Sequence, residues 1–213
     1  MEKYIKITSK QNPNVILRVV PGHFVTPNSH VNYYLDMTAI RSRVKEAHAA
    51  AEALASIHYY STPVDTIVCL DGTEVIGAFL AEELTKAGVI SMNAHKSLYV
   101  LTPENGASGQ MIFRGDLQQW IRGKNVMLLL ASATTGLTVS RAVETLIYYG
   151  AKISGVSAIF SIASKVAGLP VHAIFTQADL PDYDSSTHGN CPLCKKGIPV
   201  DGICNGYGMS PLT

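Results

Sequence analysis

The stretch Val126–Gly150, VMLLLASATTGLTVSRAVETLIYYG, decides the fold. It opens with VMLLL, an apolar run of the kind that forms a buried strand. Apolar residues then recur at the i, i+3, i+4, i+7 and i+8 spacing from Val139 to Ile147, which predicts an amphipathic helix that ends at Gly150. A buried strand followed by such a helix is a βα unit.

The same alternation extends to both sides of this unit. The pattern predicts the following elements: a helix over Thr38–His58, a strand over Asp65–Leu70, a helix over Val75–Leu84, strands over Ile153–Phe160 and Val171–Phe175, and a short helical segment over Ile162–Ala167. Strands that alternate with helices favour parallel pairing. We therefore expect an α/β fold, a parallel sheet flanked by helices.

Two segments lack this periodicity. Thr102–Gln110, TPENGASGQ, is rich in turn residues and predicts a loop. From Asp179 onward the chain is polar and rich in glycine, proline and cysteine, which indicates an appendage rather than further sheet. The sequence thus divides into an N-terminal segment (1–37), an α/β core (38–178) and a Cys-rich tail (179–213).

Composition bounds the partners and the location. The 213 residues carry 17 Lys and Arg against 16 Asp and Glu, a net charge of +1, so we expect no nucleic-acid backbone binding. No apolar run approaches the roughly 20 residues of a membrane span, and Met1–Lys10 is too polar for a signal peptide, so we expect a cytoplasmic protein without membrane contact. The low charged fraction, 15%, favours burial of surface in a homodimer.

The turn between strand and helix in the deciding stretch is a candidate phosphate site. It consists of Thr134, Thr135, Gly136, Leu137 and Thr138. A helix N-terminus offers unpaired N–H donors and a partial positive charge, so it can bind a phosphate group without a basic side chain. The alternative is an ordinary βα turn in which Thr138 caps the helix.

Soft metal ligands crowd the tail. His188, Cys191, Cys194 and Cys204 lie within 17 residues, close enough for a structural Cys3His zinc site. The alternative is that Cys191 and Cys194 form a structural knuckle and the other two are incidental. Cys69 lies in an apolar strand and is expected in the core.

Several segments together resemble the type I phosphoribosyltransferases, and orotate phosphoribosyltransferases most closely. The deciding stretch resembles the family's signature, in which two acidic residues follow the strand and a TTGG[ST]-like loop binds the 5-phosphate of phosphoribosyl pyrophosphate. The segments that agree are Phe24 followed by HVNYYLD (His30–Asp36), LDGTEVIGAFLAEEL (Leu70–Leu84) and CPLCKKGIPV (Cys191–Val200).

This resemblance implies a fold, a ligand and a reaction. It implies that residues 1–37 form a small hood, that Thr134–Thr138 bind the 5-phosphoribosyl group, and that Asp71, Gly72 and Thr73 lie on the pyrophosphate side. The implied activity is that of a glycosyltransferase of pyrimidine biosynthesis and nucleotide metabolism, with Mg²⁺ as cofactor if the chain is active.

The chain departs from the family where the chemistry takes place. Leu130 and Ala131 occupy the positions of the two carboxylates that bind the ribose hydroxyls. Tyr99–Glu104 reads YVLTPE where the family has an Arg-Lys pair, and Pro27–His30 lacks the family's lysine. Transfer of a ribosyl group depends on cations aimed at the departing pyrophosphate and on placement of the ribose.

Three classes of function follow from these patterns. One is an active phosphoribosyltransferase that uses orotate or another base, and the resemblance over nearly the whole chain favours it as the lineage. The second is a non-catalytic regulatory protein that binds a nucleotide or phosphoribosyl pyrophosphate, and the departures favour it. The third is a purely structural partner protein, for which no ligand is expected at Thr134–Thr138.

Overall fold

The computed structural model describes residues 4–86, 91–106 and 110–212. Its strands are β1 (Ile5–Thr8), β2 (Ile16–Val25), β3 (His30–Asp36), β4 (Thr66–Cys69), β5 (Tyr99–Leu101), β6 (Glu104–Asn105), β7 (Met111–Ile112), β8 (Asn125–Ala133), β9 (Lys152–Ser161), β10 (Lys165–Val166), β11 (Leu169–Thr176), β12 (Ser185–Ser186), β13 (Gly202–Asn205) and β14 (Gly208–Pro211). Its helices are α1 (Thr38–Ser42), α2 (Val44–His58), α3 (Glu74–Thr85), α4 (Gly115–Gln118), α5 (Leu137–Tyr148) and α6 (Pro192–Lys195), with a 3₁₀ turn at His188–Asn190.

The central sheet confirms the predicted α/β fold. Its strand order is β10-β11-β9-β8-β4-β5, and every neighbouring pair from β11 to β5 is parallel. Strand β8 lies inside this sheet and sends alternate side chains to two apolar clusters, Leu129 and Ala131 to one and Leu128 and Leu130 to the other. Helix α5 covers the second cluster, so the βα unit that decides the fold also contributes to its core.

Three local predictions were wrong. The helix predicted over Thr38–His58 breaks at Arg43, whose ψ of 126° is extended, so α1 and α2 are separate helices. The segment Ile162–Ala167 is not helical, because Ala167 and Gly168 both have positive φ and turn the chain tightly from β10 into β11. The predicted loop Thr102–Gln110 contains β6, which pairs with β7, whereas its residues 107–109 lie outside the described residues.

The hood and the tail share a second sheet. Its order is β12-β3-β2-β13-β14, and β1 pairs with β2. Strand β13 runs parallel to β2, with Gly202 opposite Phe24, and β12 pairs with β3. The expectation that the tail adds no strands to a sheet is therefore wrong, because pairing with the distant hood strands orders it.

Within the described ranges, no helix has the length and apolar character needed to cross a membrane.

A buried histidine network joins helix α2 to the central sheet. His58 is 1% exposed; its Nδ1 lies 3.0 Å from Thr62 Oγ1 and its Nε2 lies 2.7 Å from Ser157 Oγ. Burial, with a contribution from the nearby His172, lowers the pKa of His58 from 6.5 to about 4. The folded state therefore requires a neutral imidazole at this position.

This network predicts loss of stability in mild acid. Above the unfolded-state pKa of 6.5 the neutral ring carries no penalty, whereas between pH 6.5 and about 4 only the unfolded chain takes up the proton. We expect the free energy of unfolding to fall by about 2 kcal/mol from pH 7 to pH 5 through this residue. Urea denaturation at both pH values measures it.

Two variants isolate the contribution of His58. His58→Gln removes the titrating ring and should lose most of that pH dependence. His95→Asn is the control, because His95 is exposed and asparagine tolerates its φ of 63°. An equal pH dependence in His58→Gln and in the unmodified protein would contradict the assignment.

Candidate functional site

A cavity of about 210 Å³ opens where the carboxyl end of β8 faces the hood. The predicted phosphate turn lines one side, and the hood turn Thr26–Ser29 together with Tyr33 and Tyr34 lines another. The tail hairpin reaches the same cavity through Cys204 of β13 and through Gly206 in the turn that follows it. The cavity thus lies at the edge where open α/β sheets bind ligands, and the shared hood and tail sheet closes it.

The predicted phosphate turn lies at the N-terminus of α5. Gly136, with a left-handed φ of 75°, is the N-cap residue of α5 and, as a glycine, has no side chain to cap the helix. The alternative with Thr138 as cap is therefore wrong, since Thr138 is the second residue of the helix. Thr134, Thr135, Gly136 and Thr138 line the cavity, while Leu137 is 45% exposed outside it. The N–H of Leu137 makes a long hydrogen bond of 3.5 Å to Thr135 Oγ1, whereas the N–H groups of Thr138 and Val139 have no hydrogen-bond partner among the described residues and could bind an anionic ligand.

Gly136 cannot be replaced without strain. A Cβ added there would lie 3.0 Å from Val166 Cγ1, and its positive φ disfavours L side chains. Glycine therefore allows the turn to approach both β10 and a ligand.

The predicted pyrophosphate-side loop follows β4. Asp71 and Gly72 have φ values of 56° and 74°, so the chain turns sharply here into α3. The side chain of Asp71 reaches the cavity, whereas Thr73 is buried and its hydroxyl donates to the carbonyl of Leu70 at 2.8 Å. Neither Gly72 nor Thr73 is among the described residues that line the cavity. The structure thus brings Asp71, but not the other two, together with the phosphate turn.

Arg41 of α1 is a functional candidate that the sequence did not single out. It is the one cationic side chain among the described residues that line the cavity. Its Nη1 donates to the carbonyl oxygens of Asp71 and Gly206, and its buried Nε has no hydrogen-bond partner among the described residues. No local motif marks this arginine, because its partners lie 30 and 165 residues away in the sequence.

The environment of Asp71 is not that of an ordinary surface carboxylate. Burial raises the pKa of Asp71, whereas a hydrogen bond from the backbone of Ala131 and the charge of Arg41 act in the opposite direction. Asp71 is the one carboxylate among the described residues that line the cavity. It therefore faces Arg41 within a site that is otherwise neutral.

The two positions of the family's ribose carboxylates point in different directions. Ala131 lines the cavity, whereas Leu130 is fully buried beneath α5 in the second apolar cluster. Mg²⁺ is bound through carboxylates and phosphate oxygens. These residues do not fit a family-type Mg²⁺ site, because neither position supplies an oxygen ligand.

The predicted zinc ligands separate into two groups. Cys191 and Cys194 lie together at the start of α6 and meet two histidines of the hood, His23 of β2 and His30 of β3. The ligand atoms of these four residues all lie within 4.8 Å of one another, so they could hold a metal ion.

The other two predicted ligands do not join this cluster. Cys204 lies in β13, 6% exposed, where burial raises the pKa of its thiol to about 11 and so disfavours the thiolate. His188 packs the edge of its ring against His30, with ring centroids 4.9 Å apart. Sequence spacing alone favoured both residues, and it missed His23 and His30 because they are more than 160 residues from the cysteines. Cys69 is buried as expected.

The curated proteins that this chain resembles in sequence share one name. The chain is 28% identical over 186 residues to the orotate phosphoribosyltransferase of Thermotoga maritima, covering 86% of this chain and 90% of that protein. It is 25% identical over 188 residues to that of Chlorobium phaeobacteroides, covering 86% and 87%. No protein-family profile matches the chain.

Solved structures share the fold at lower identity. Leishmania donovani UMP synthase superposes with a TM-score of 0.54 at 17% identity, over 76% of this chain and 34% of that one. Mycobacterium tuberculosis orotate phosphoribosyltransferase superposes with a TM-score of 0.50 at 19% identity, over 77% and 92%. The chain therefore has the fold of the type I phosphoribosyltransferases, and the curated proteins that it resembles over most of its length are orotate phosphoribosyltransferases.

Proposed function

We propose that this protein binds the 5-phosphoribosyl group of phosphoribosyl pyrophosphate or of a pyrimidine nucleotide and does not itself transfer it. The observation that carries the proposal is the N-terminus of α5 at Gly136, which opens onto the cavity with Thr135 and Thr138 beside it. The N–H groups of Thr138 and Val139 have no hydrogen-bond partner among the described residues. An anionic phosphate gains both free N–H donors and the helix dipole at such a terminus.

The rest of the cavity fits a ribose and a base better than it fits a reaction centre. Tyr33 and Tyr34 of the hood offer aromatic surface, and Arg41 supplies a positive charge in the cavity lining. The carboxylate positions carry Leu130 and Ala131, so the ribose hydroxyls lack their family partners. Binding of a nucleotide as a regulatory signal in pyrimidine metabolism is consistent with this set of residues.

The second candidate is an active orotate phosphoribosyltransferase. The names of the curated relatives favour it. It requires that groups other than the family's carboxylates and loop cations stabilise the departing pyrophosphate. Arg41 would be the candidate, because it is the one cationic side chain among the described residues that line the cavity. Under this alternative Mg²⁺ would be bound through the oxygens of its substrate.

A thermal-shift experiment tests the phosphate turn. Phosphoribosyl pyrophosphate, uridine and orotidine 5-monophosphates, and ribose 5-phosphate are added in turn to the protein. A ligand that binds only the native state at 100 times its Kd raises the free energy of unfolding by about 2.7 kcal/mol. We expect at least one of these compounds to raise the melting temperature, and the double variant Thr135→Ala, Thr138→Ala to lose that rise.

Thr145→Ala is the matched control, because Thr145 lies on the same helix but does not line the cavity. It should keep the ligand-induced shift. The proposal is wrong if none of the four compounds changes the melting temperature, or if the double variant responds as the unmodified protein does. The first of these results would favour the structural class.

We also propose Zn²⁺ as the metal of the tail, with a structural role. Two thiols and two imidazoles form a donor set that suits this ion, and four protein ligands leave no position for a reactive water. The homodimer and the cytoplasmic location, both expected from composition, stay predictions.

A further inference from the structure

We propose that Zn²⁺ bound by His23, His30, Cys191 and Cys194 joins the hood to the tail and thereby fixes the hood turn of the ligand cavity. His23 and His30 belong to the hood, and Cys191 and Cys194 belong to the tail.

The separations of the ligand atoms fit a tetrahedral ion. Cys191 Sγ lies 3.5 Å and Cys194 Sγ 3.6 Å from His23 Nε2, and Cys194 Sγ lies 3.3 Å from His30 Nδ1. Bond lengths of about 2.0 to 2.1 Å to nitrogen and 2.3 Å to sulfur place tetrahedral ligand atoms about 3.4 to 3.8 Å apart. The two ring nitrogens are closer, at 2.9 Å, and a bound ion would separate them slightly.

A hydrogen bond behind His23 prepares its ring for a metal. Nδ1 of His23 donates to the carbonyl oxygen of Ile198 at 2.9 Å. This bond fixes the proton on Nδ1 and leaves the lone pair of Nε2 directed at the cysteines. Metal-binding histidines almost always make such a bond through their second nitrogen. His23 is 1% exposed and Cys191 is 3% exposed, so these two ligands belong to the interior, whereas Cys194 lies at the surface.

The cluster lies directly behind the cavity. His23 is near the end of β2 and His30 begins β3, so both hold the ends of the connecting turn Thr26–Ser29, which lines the cavity. On the tail side, the carboxylate of Asp201 accepts the backbone N–H of His23 at 2.7 Å, and β13 follows immediately. An ion at this point would fix the hood turn and the tail strands against each other.

Metal analysis of paired variants tests the ligand set. The protein, purified without chelator and then equilibrated with Zn²⁺ and desalted, should hold about one Zn²⁺ per chain. His30→Asn and Cys194→Ser should lose it. The matched controls His188→Asn and Cys204→Ser make the same two types of substitution at the ligands that only the sequence spacing predicted. Both controls should keep the Zn²⁺.

Cobalt substitution keeps the proposal testable if a variant fails to fold. Co²⁺ in the unmodified protein should give the intense visible bands of a tetrahedral site, with a thiolate charge-transfer intensity that corresponds to two sulfur ligands. An intensity that corresponds to three sulfurs, or loss of metal from His188→Asn together with retention by His30→Asn, would support the spacing-based set instead. Metal content below roughly 0.2 per chain with no cobalt spectrum would overturn the site altogether.

The effect on the cavity rests on the proposed function and has its own readout. Removal of the metal with a chelator should reduce the ligand-induced thermal shift, and Zn²⁺ should restore it. If the protein binds the metal but its ligand-induced thermal shift is unchanged after chelation, the metal site stands and only its coupling to the cavity is overturned. A protein that binds metal but none of the phosphate compounds would refute the proposed function while leaving the metal site intact.

Discussion

Incubated with phosphoribosyl pyrophosphate, Mg²⁺ and orotate, this protein is expected to form no detectable orotidine 5-monophosphate. The expectation follows from the residues at the positions where the family carries its catalytic groups. Leu130 and Ala131 offer no oxygen to the ribose or to Mg²⁺, and the segment Tyr99–Glu104 carries no cation for the departing pyrophosphate. Loss of one preorganised charge-stabilising group costs about 100- to 1000-fold in rate.

Two such losses together correspond to roughly 10⁴- to 10⁶-fold if they act independently. Product formation is measured by chromatography, with the orotate phosphoribosyltransferase of Thermotoga maritima as the positive control under identical conditions. A rate within about 100-fold of that control would refute the non-catalytic proposal. The Arg41→Gln variant would then show whether the cation in the cavity supports the reaction.

The βα units of the core could be predicted from the sequence because their signals are local. The apolar run of β8 and the periodic residues of α5 lie within one 25-residue stretch, and the structure confirms both elements. The phosphate turn followed from the same stretch, and four of its five residues line the cavity. Local periodicity did not mark the break at Arg43, where a single extended residue separates two helices.

The pairing of the hood with the tail could not be predicted from the sequence, because it depends on long-range contacts. Gly202 pairs with Phe24, and Asp201 accepts a hydrogen bond from His23, 178 residues away. The metal ligands and Arg41 depend on the same kind of contact. A search for histidines at paired strand ends, such as His23 and His30 on either side of one turn, would have been the available signal. Spacing within the tail instead pointed to Cys204, which faces the cavity.

The two positions of β8 where the family has carboxylates, Leu130 and Ala131, are not equivalent in this structure. Leu130 is fully buried in the apolar cluster beneath α5, so Leu130→Glu would place a carboxylate where no partner can reach it. A buried, unpaired charge falls among the most damaging substitutions, and we expect a loss of about 4 kcal/mol or more in the free energy of unfolding. Leu130→Met, which conserves volume, should cost less than about 1.5 kcal/mol.

The pH dependence distinguishes a buried charge from lost packing. Burial raises the folded-state pKa of the new glutamate above its unfolded-state pKa of about 4.3. The loss in the free energy of unfolding caused by Leu130→Glu should therefore grow as the pH rises above about 4.3. Urea denaturation of Leu130→Glu and Leu130→Met at pH 4 and pH 7 measures this growth. A small loss that is independent of pH would mean that position 130 reaches the solvent of the cavity. The family's carboxylate pair would then be restorable by two substitutions, and the case against catalysis would rest on the missing loop cations alone.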